Sequence, residues 1–422
     1  MAILTKYVSV TNGNDSSPGD GTSGNPYFSI AKAVDDIDGT SDVGPHYIIL
    51  SESSAATTTY SASYGMPSDS EQELWVSNVN TGVIVSGAYG QNIIIDGKGV
   101  TNKNAFVLYG SGSGIHNLTI TGYGTHSTTG RGAIRGSYRP CDIRGINISG
   151  NLQSGITFFG DRYGQGGPSI INNCRVELPA LNNVWGISTQ TSYNIGHVLV
   201  NNCLVIISGS DSAAPTHAIY IYNGNTSQST ASFNTVVGKF DQTPKTDGAF
   251  GIKADRAENN IMSMSLPSDN DNTSFIDADT ATNNLYAGFS SQNVTAGVRR
   301  TSNGTSASFH ATELSYKRDQ SLTLLNGPDS IFKSIYADWT LASGAPAIDA
   351  GATLSYFGIT STDLSGTLRA DSSAGTGGST DIGAFEFISL GYGNIIIGVA
   401  AANLGKTLGV AKADINKIIG VE

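Results

Sequence analysis

The sequence predicts an all-β protein, a right-handed parallel β-helix built from stacked coils. Three observations predict it: abundant glycine with few charged residues, an asparagine that recurs about every 27 residues, and a series of short strand-like segments between the asparagines. Of the 422 residues, 52 are glycine and 14% are charged. This composition suits many short strands joined by turns, and it is untypical of helical bundles.

The recurring asparagines each stand before a short run of apolar or small residues. They are Asn92, Asn117, Asn147, Asn173, Asn202, Asn234, Asn260 and Asn284. Asparagine tolerates the left-handed backbone of a tight turn, and stacked coils place equivalent residues about 4.8 Å apart. We therefore expect one structural ladder of side-chain amides along the solenoid. The alternative is that asparagine is merely common in turns.

The strand-like segments run out of phase with the asparagines, so each period contains at least two strands. They begin at Phe106, Ala133, Gly155, Gly186, Ala218 and Gly251. The turns between them vary in length, which a β-helix accommodates as loops while its strands stay in register. The β-helix is predicted over residues 46–300.

Residues 1–45 are predicted to cap the N-terminal end of the solenoid. Ser29 can cap an amphipathic helix whose apolar face is Ile30, Ala33, Val34 and Ile37. In the preceding loop, Asp15 and Asp20 suit either a loop of Asx turns or a calcium loop. Their spacing does not match an EF-hand, which favours the turns.

No cofactor or metal site is predicted. The three cysteines, Cys141, Cys174 and Cys203, are widely spaced and odd in number, and no CxxC motif or His–Cys cluster accompanies them. We expect them to be small buried apolar residues.

Two groups of short motifs lie near the ends of the predicted solenoid. The first comprises Tyr7-Val8-Ser9, Gly13-Asn14-Asp15, residues 19–22, Pro26 and residues 29–34; the second comprises residues 343–351, 363–369 and 381–386. On these motifs the chain resembles pectate-lyase-like right-handed β-helix proteins over residues 1–388. The resemblance implies the fold, with a C-terminal closing module at 301–388. It implies no single activity, because this architecture hosts lyases, hydrolases, epimerases and non-enzymatic spikes.

Residues 389–422 form a tail with an 11-residue period. Each repeat ends in a glycine followed by Val399, Val410 or Val421. Three short apolar repeats cannot bury their faces alone, and the tail resembles C-terminal repeats of phage structural proteins. We predict that the tail is an oligomerisation or virion-docking element. The alternative is that it is a flexible terminus or an ordinary final cap of the solenoid.

The charge and the terminal segments narrow the range of partners. The formal net charge is −11, so no nucleic-acid partner is expected. The longest apolar stretch, residues 395–402, is shorter than the roughly 20 residues of a membrane span, so no membrane insertion is expected.

The first residues contain no secretory signal pattern. A β-helix made in a host cytoplasm without a signal peptide resembles a bacteriophage virion protein, such as a tailspike, head fibre or decoration protein. The resemblance implies a homotrimer on the virion surface that contacts other virion proteins and host glycans.

No catalytic residue can be assigned from the sequence. A polysaccharide lyase needs a base and a cation, and a glycoside hydrolase needs two carboxylates roughly 5–9.5 Å apart. Paired aspartate motifs and an acidic calcium cluster are both missing from the sequence. The weak catalytic candidates are Asp161, Arg162, His217, Lys253 and Arg256.

Candidate glycan-binding residues follow from the predicted coil spacing. Arg135, Arg144, Tyr220 and Tyr222 combine cationic and aromatic groups, and Arg131 and Arg139 make the region around 131–144 the densest basic cluster. This cluster is either a site for an acidic sugar or a solvated face. Two functions therefore stay open: a virion surface protein that binds host glycans, and a depolymerase that cleaves them.

Overall fold

The chain folds into a parallel β-helix with three stacks of strands, as the computed structural model shows. The structure describes residues 3–16, 19–38, 44–52, 57–61, 74–76, 82–124, 132–137, 139–150, 152–159, 167–179, 184–190, 197–209, 216–222, 229–240, 249–265, 274–282, 284–289, 298–299, 332–334, 338–345, 347–351, 362–369 and 380–387. The predicted fold class is confirmed by the strand pairing, which is parallel throughout the stacks.

Each coil contributes one strand to each stack. The first stack contains β4 (Leu74–Val76), β7 (Phe106–Leu108), β10 (Ile134–Ser137), β13 (Ser154–Phe159), β16 (Trp185–Gln190), β19 (Thr216–Tyr220), β22 (Ala249–Glu258), β24 (Ser274–Thr282) and β26 (Val298–Arg299). The second contains β1 (Thr5–Val8), β2 (His46–Leu50), β5 (Val83–Gly87), β8 (Ser113–His116), β11 (Cys141–Arg144), β14 (Ser169–Asn172), β17 (Val198–Asn201) and β20 (Thr230–Ser232). The long strands β22 and β24 continue into the second stack, which joins the two into one 17-stranded sheet.

The third stack is a separate 9-stranded sheet. It contains β3 (Thr57–Ser61), β6 (Asn92–Asp96), β9 (Thr119–Thr121), β12 (Asn147–Ser149), β15 (Arg175–Pro179), β18 (Leu204–Gly209), β21 (Thr235–Phe240), β23 (Ile261–Ser265) and β25 (Leu285–Phe289). Further along the chain, β27 (Phe332–Ser334) and β28 (Asp338–Leu341) pair with each other in antiparallel fashion.

The core is built from columns of identical or similar side chains in register. One column in the first stack consists of Ile134, Ile156, Ile187, Ile219, Ile252 and Ile276, each with no exposed surface. Full burial of such a side chain stabilises the fold by about 1.5–3 kcal/mol. Because strand side chains alternate between faces, the residues that follow these isoleucines are directed away from the core.

The N-terminal end carries the predicted helix, α1 (Ile30–Asp38). Ser29 Oγ accepts the Lys32 N–H at 3.2 Å, as an N-cap residue does, and the apolar face of α1 is buried. The two loop aspartates serve the main chain. Asp15 Oδ1 accepts the N–H groups of Phe28 and Ser29, and Asp20 Oδ1 accepts the Thr22 N–H in an Asx turn.

The turn between the second and third stacks corrects the single asparagine ladder expected from the sequence. Its first position has a left-handed backbone and holds Asn117, Gly145, Asn173, Asn202, Phe233 and Asn259. Its second position points inward and holds Leu118, Ile146, Cys174, Cys203, Asn234, Asn260 and Asn284, all buried. The eight asparagines therefore occupy different positions: Asn147 begins β12 and is exposed, and Asn92 begins β6 and is exposed. Variable loop lengths shift the sequence spacing by one or two residues without moving the coils.

A true amide ladder joins the inward-pointing asparagines of the last three coils. Asn234 Nδ2 donates to Asn260 Oδ1 at 3.0 Å, and Asn260 Nδ2 donates to Asn284 Oδ1 at 2.9 Å. Their amides also donate to the backbone carbonyls of Val200, Ala231 and Ala257. In the two preceding coils, Cys174 and Cys203 occupy the same position as buried free thiols. Burial is what we predicted for these cysteines.

The described part of the predicted closing module, which we call the C-terminal brace (332–387), packs against the side of the solenoid. Phe332, Trp339, Leu341, Ala347 and Ile382 cover the outward side chains of Leu204, Ile206, Val237, Ile261 and Leu285 on the third stack. The sequence suggested closure of the C-terminal end, and these contacts correct the placement to the side. The tail, with Val399, Val410 and Val421, lies outside the described residues.

Arg369 forms a buried ion pair with Glu386 inside the brace and bonds the brace to Asn202 of the second-to-third turn. Arg369 Nη1 donates to Glu386 Oε1 at 2.6 Å, and Arg369 Nη2 donates to Asn202 Oδ1 at 2.6 Å. The guanidinium also lies 4.5 Å from the centre of the Phe233 ring. Asn202 and Phe233 are first-position residues of neighbouring coils, so Arg369 bridges two coils. Among the described residues, no helix is long and apolar enough to cross a membrane.

Candidate functional site

The outer face of the first stack carries a continuous row of polar and aromatic residues. In register from coil to coil, the row is Arg135, Thr157, Ser188, Tyr220 and Lys253. Each follows a buried isoleucine of the core column, and strand alternation therefore directs it away from the core. Arg135, Tyr220 and Lys253 are partly exposed, whereas Thr157 and Ser188 are buried. We call these five residues the central row. The fold thus brings together Arg135, Tyr220 and Lys253, which are well separated in sequence.

Three rings pack together around Tyr220 of the central row. The Trp185 and His217 rings lie 5.3 Å apart in an edge-to-face arrangement, and Tyr220 lies 5.1 Å from Trp185 and 4.9 Å from His217. Strand pairing accounts for the cluster, because Trp185 and His217 are register partners on β16 and β19. Trp185 and Tyr220 remain partly exposed, whereas His217 is 6% exposed.

The Lys253 ammonium extends over two tyrosine rings. Its Nζ lies 5.7 Å from the Tyr220 ring centre and 5.3 Å from that of Tyr222. Such cation–π contacts hold the ammonium in place beside the rings. Lys253 and Tyr222 are both partly exposed. We call Trp185, His217, Tyr220, Tyr222 and Lys253 the aromatic–lysine cluster.

His217 is uncharged at neutral pH. Burial lowers the pKa of its imidazole to about 3, and the positive charge of Lys253 lowers it in the same direction. The cluster therefore contains one cation, Lys253, beside four rings. In its neutral form His217 can in principle accept a proton, but a pKa this low makes it a weak base at neutral pH.

Arg256 lies apart from Lys253, although the two are close in sequence. It pairs with Thr230 of the second stack, and its Nε and Nη2 donate to Glu258 Oε1 at 3.2 and 2.9 Å. Asp255 lies between them and accepts the Ser229 N–H at 3.0 Å. Lys253 and Arg256 are both catalytic candidates from the sequence, but β22 bends between them, so that Lys253 pairs in the first stack and Arg256 in the second.

The predicted basic cluster is divided between two faces. Arg135 belongs to the central row, but Arg144 lies on the second stack, where its Nε donates to Asp142 Oδ1 at 2.6 Å. His116 Nε2 lies 3.3 Å from the other oxygen of this carboxylate. Burial alone would raise the pKa of Asp142, but the bonds from His116 and Arg144 lower it overall. Arg144 is thus occupied by a local carboxylate and is not part of the cluster.

Several sequence candidates lie outside the described residues, namely Arg131, Asp161 and Arg162. Conversely, sequence reasoning missed Trp185. The signal was present, because Trp185 precedes the Gly186-Ile187 strand start as His217 precedes Ala218-Ile219. Aligning the strand starts would have placed the two rings side by side.

The arrangement suits recognition of a polar ligand with flat apolar faces. It presents partly exposed aromatic rings and one lysine ammonium along one face. The hydroxyl groups nearby are buried: Thr157 Oγ1 and Ser188 Oγ lie 3.4 Å apart, and Thr189 Oγ1 donates to the Tyr220 carbonyl. No group of three or more histidine, cysteine, aspartate or glutamate side chains suitable for a metal ion occurs in the described part of the chain.

Comparisons with known proteins return similar structures but no family. No family model matches the sequence, and no curated protein matches it. The solved structure of the pectate lyase Pel9A is similar, with a TM-score of 0.46 and 13% identity over 92% of this chain and 98% of that chain. The GH136 lacto-N-biosidase from Eubacterium ramulus is similar with a TM-score of 0.36 and 13% identity, over 68% of this chain and 56% of that chain. Likenesses this distant carry no information about the activity of this chain.

Proposed function

We propose that this protein is a bacteriophage virion surface protein that binds host-surface glycans through the outer face of its first stack. The aromatic–lysine cluster is the observation that supports binding. Sugar rings combine apolar C–H faces with many hydroxyl groups, and a site with exposed rings and a few fixed polar groups complements both.

The glycan proposal is tested by screening the full chain against an array of bacterial capsular and lipopolysaccharide glycans. We expect wild-type protein to bind at least one of them, and Tyr222→Ala to weaken that binding because it removes one ring beside Lys253. Arg175→Ala is the matched control, since Arg175 is exposed on the third stack and forms an ion pair with the exposed Glu177. Equal binding by the Tyr222 variant would contradict the placement of the site.

The virion assignment rests on the sequence resemblance and on the composition of the tail. In this proposal the protein is a spike, fibre or decoration protein on the virion surface, is assembled in the host cytoplasm, and forms a trimer that docks through the tail repeats around Val399, Val410 and Val421. Imaging of purified particles with an antibody against the solenoid tests the location, and light scattering of the full chain tests the trimer. Absence from particles would contradict the virion assignment.

A depolymerase is the second candidate function. Lys253 favours it, because a cation on a solenoid face can neutralise the carboxylate of an acidic sugar, as a lyase requires. Incubation of the full chain with each glycan that it binds, followed by measurement of chain length and unsaturated products, separates the two. Intact glycan after prolonged incubation is the result expected of a binding protein.

A further inference from the structure

The C-terminal brace buries more negative charge than it neutralises. Among its described residues, the carboxylates of Asp363, Asp381 and Glu386 are buried, against the buried guanidinium of Arg369. The guanidinium bonds Glu386 Oε1 at 2.6 Å, whereas it reaches Asp381 through the backbone carbonyl, at 3.4 Å. A buried carboxylate without a directly bonded cation destabilises the fold when it is ionised.

The Asp381 side chain lies beside the bonds that attach the brace to the solenoid. Its Oδ1 accepts the Asp349 N–H at 2.6 Å, and its Oδ2 accepts the Phe387 N–H. Two residues further along the chain, the Gly383 N–H donates to the Asn259 carbonyl of the second-to-third turn at 2.9 Å. The charge of Asp381 therefore acts on the part of the brace that contacts the coils.

The charged groups that face Asp381 from within the brace include two more carboxylates. Burial is the largest cause that raises the pKa of Asp381, and the charges of Glu386 and Asp349 raise it further, while the two N–H bonds lower it; the result is about 6. On the solenoid side, the bonded partners of this region are uncharged. Along β27 and β28, the charge of Lys333 acts on Asp338.

We propose that the brace is a pH-sensitive attachment, tightened by protonation of Asp381 and loosened by its ionisation. In a detached brace Asp381 is solvated, and its pKa returns to the ordinary 3.8. The attached form thus binds the proton more strongly, and attachment weakens as the pH rises from about 4 to about 6. The whole change in the attachment equilibrium is about 100-fold. Loosening uncovers the apolar side chains of the third stack, among them Leu204 and Ile261. The inference is independent of glycan binding.

Hydrogen exchange of the full chain tests the proposal at the bonds between brace and solenoid. The reporting amides are those of Gly383, which donates to the Asn259 carbonyl, and Ala384, which donates to Thr235 Oγ1 at 3.0 Å. After correction for the intrinsic exchange rate at each pH, we expect their protection to fall about 100-fold between pH 4 and pH 7.5. The amide of Ile221 in the first stack is the reference and should show no such fall. Protection that stays level or rises at Gly383 and Ala384 would overturn the proposal.

Two variants and a direct titration assign the effect to Asp381. Asp381→Asn removes the titrating group, so protection of the same amides should no longer depend on pH. Asp338→Asn is the matched control, because it makes the same substitution at a partly exposed carboxylate of the brace, and it should keep the 100-fold fall. A fall that persists in Asp381→Asn, or disappears in Asp338→Asn, would overturn the assignment. Carbon NMR of the Asp381 carboxyl group in the wild-type protein gives the answer even where a variant fails to fold. A titration midpoint near 6 is expected, and one near 3.8 would overturn the proposal.

Discussion

At the scale of single residues, the same side-chain type serves different purposes according to its position in the coil. His217 is buried among rings and neutral, whereas His197 is exposed. Arg369 is buried and bridges two coils, whereas Arg175 is exposed in a surface ion pair. The neighbouring coil, rather than the local sequence, decides which residue is buried.

His217 predicts a specific acid sensitivity. Its folded-state pKa of about 3 lies below the ordinary value of 6.5, so between these values only the unfolded chain takes up the proton. Stability is therefore lost as the pH falls through 6.5, by about 2 kcal/mol between pH 7.5 and pH 5. Urea unfolding at both pH values measures the loss, and His217→Gln should lose about 2 kcal/mol less than wild type. His197→Gln, an exposed substitution, should behave as wild type; an identical response of all three proteins would contradict the buried neutral state.

At the scale of structural elements, the second-to-third turn sets the register of the solenoid. Its inward position changes from apolar side chains to cysteines and then to asparagines along the chain. Only the last part is a hydrogen-bonded ladder, in which each amide bonds both the next amide and a backbone group.

The ladder predicts that Asn260 contributes far more to the stability of the fold than an asparagine on a strand surface does. Asn260→Ala removes the amide that satisfies the Ala231 carbonyl and the Asn234 backbone N–H. Leaving these buried groups without partners should cost at least about 3 kcal/mol. Asn147→Ala, at an exposed strand position, should change stability by less than about 0.5 kcal/mol. Similar melting temperatures for the two variants would contradict the ladder.

The sequence predicts repetition better than exact register. The period near 27 residues and the buried strand starts are visible because every coil must bury the same inner positions. The sequence predicts one ladder that contains both Asn147 and Asn234, although they occupy different positions of the coil. Loop lengths vary between coils, so only backbone pairing shows which residues of neighbouring coils are in register. The site was partly predictable for the same reason: Tyr220, Tyr222 and Lys253 follow strand starts, whereas the bend that separates Arg256 has no sequence signal that we recognise.

At the scale of the whole molecule, the brace covers the third stack, whereas the proposed glycan-binding face lies on the first stack. The brace covers the outward apolar residues of the later third-stack strands, and earlier strands present polar residues such as Thr119, Asn147 and Glu177 at that face. The central row of the first stack remains partly exposed at Arg135, Tyr220 and Lys253.

The brace predicts a large effect of its central ion pair. Arg369→Met leaves the Glu386 carboxylate buried without its cation, which should cost roughly 3–5 kcal/mol. Hydrogen exchange should then increase at Leu204 and Ile261, which the brace covers. Arg175→Met is the control, because loss of an exposed pair costs about 0–1 kcal/mol. Unchanged exchange at the third stack in the Arg369 variant would show that the brace is held by its apolar contacts alone.

The central claim is that the first-stack outer face binds glycans, and Lys253 tests it most directly. The measurement is the affinity of Lys253→Ala for a bacterial surface glycan bound by the wild-type chain, with Arg175→Ala measured in parallel. We predict at least about tenfold weaker binding for Lys253→Ala, or about 1.4 kcal/mol, with unchanged affinity for Arg175→Ala and the same melting temperature for all three proteins. Wild-type affinity in the Lys253 variant would contradict the claim.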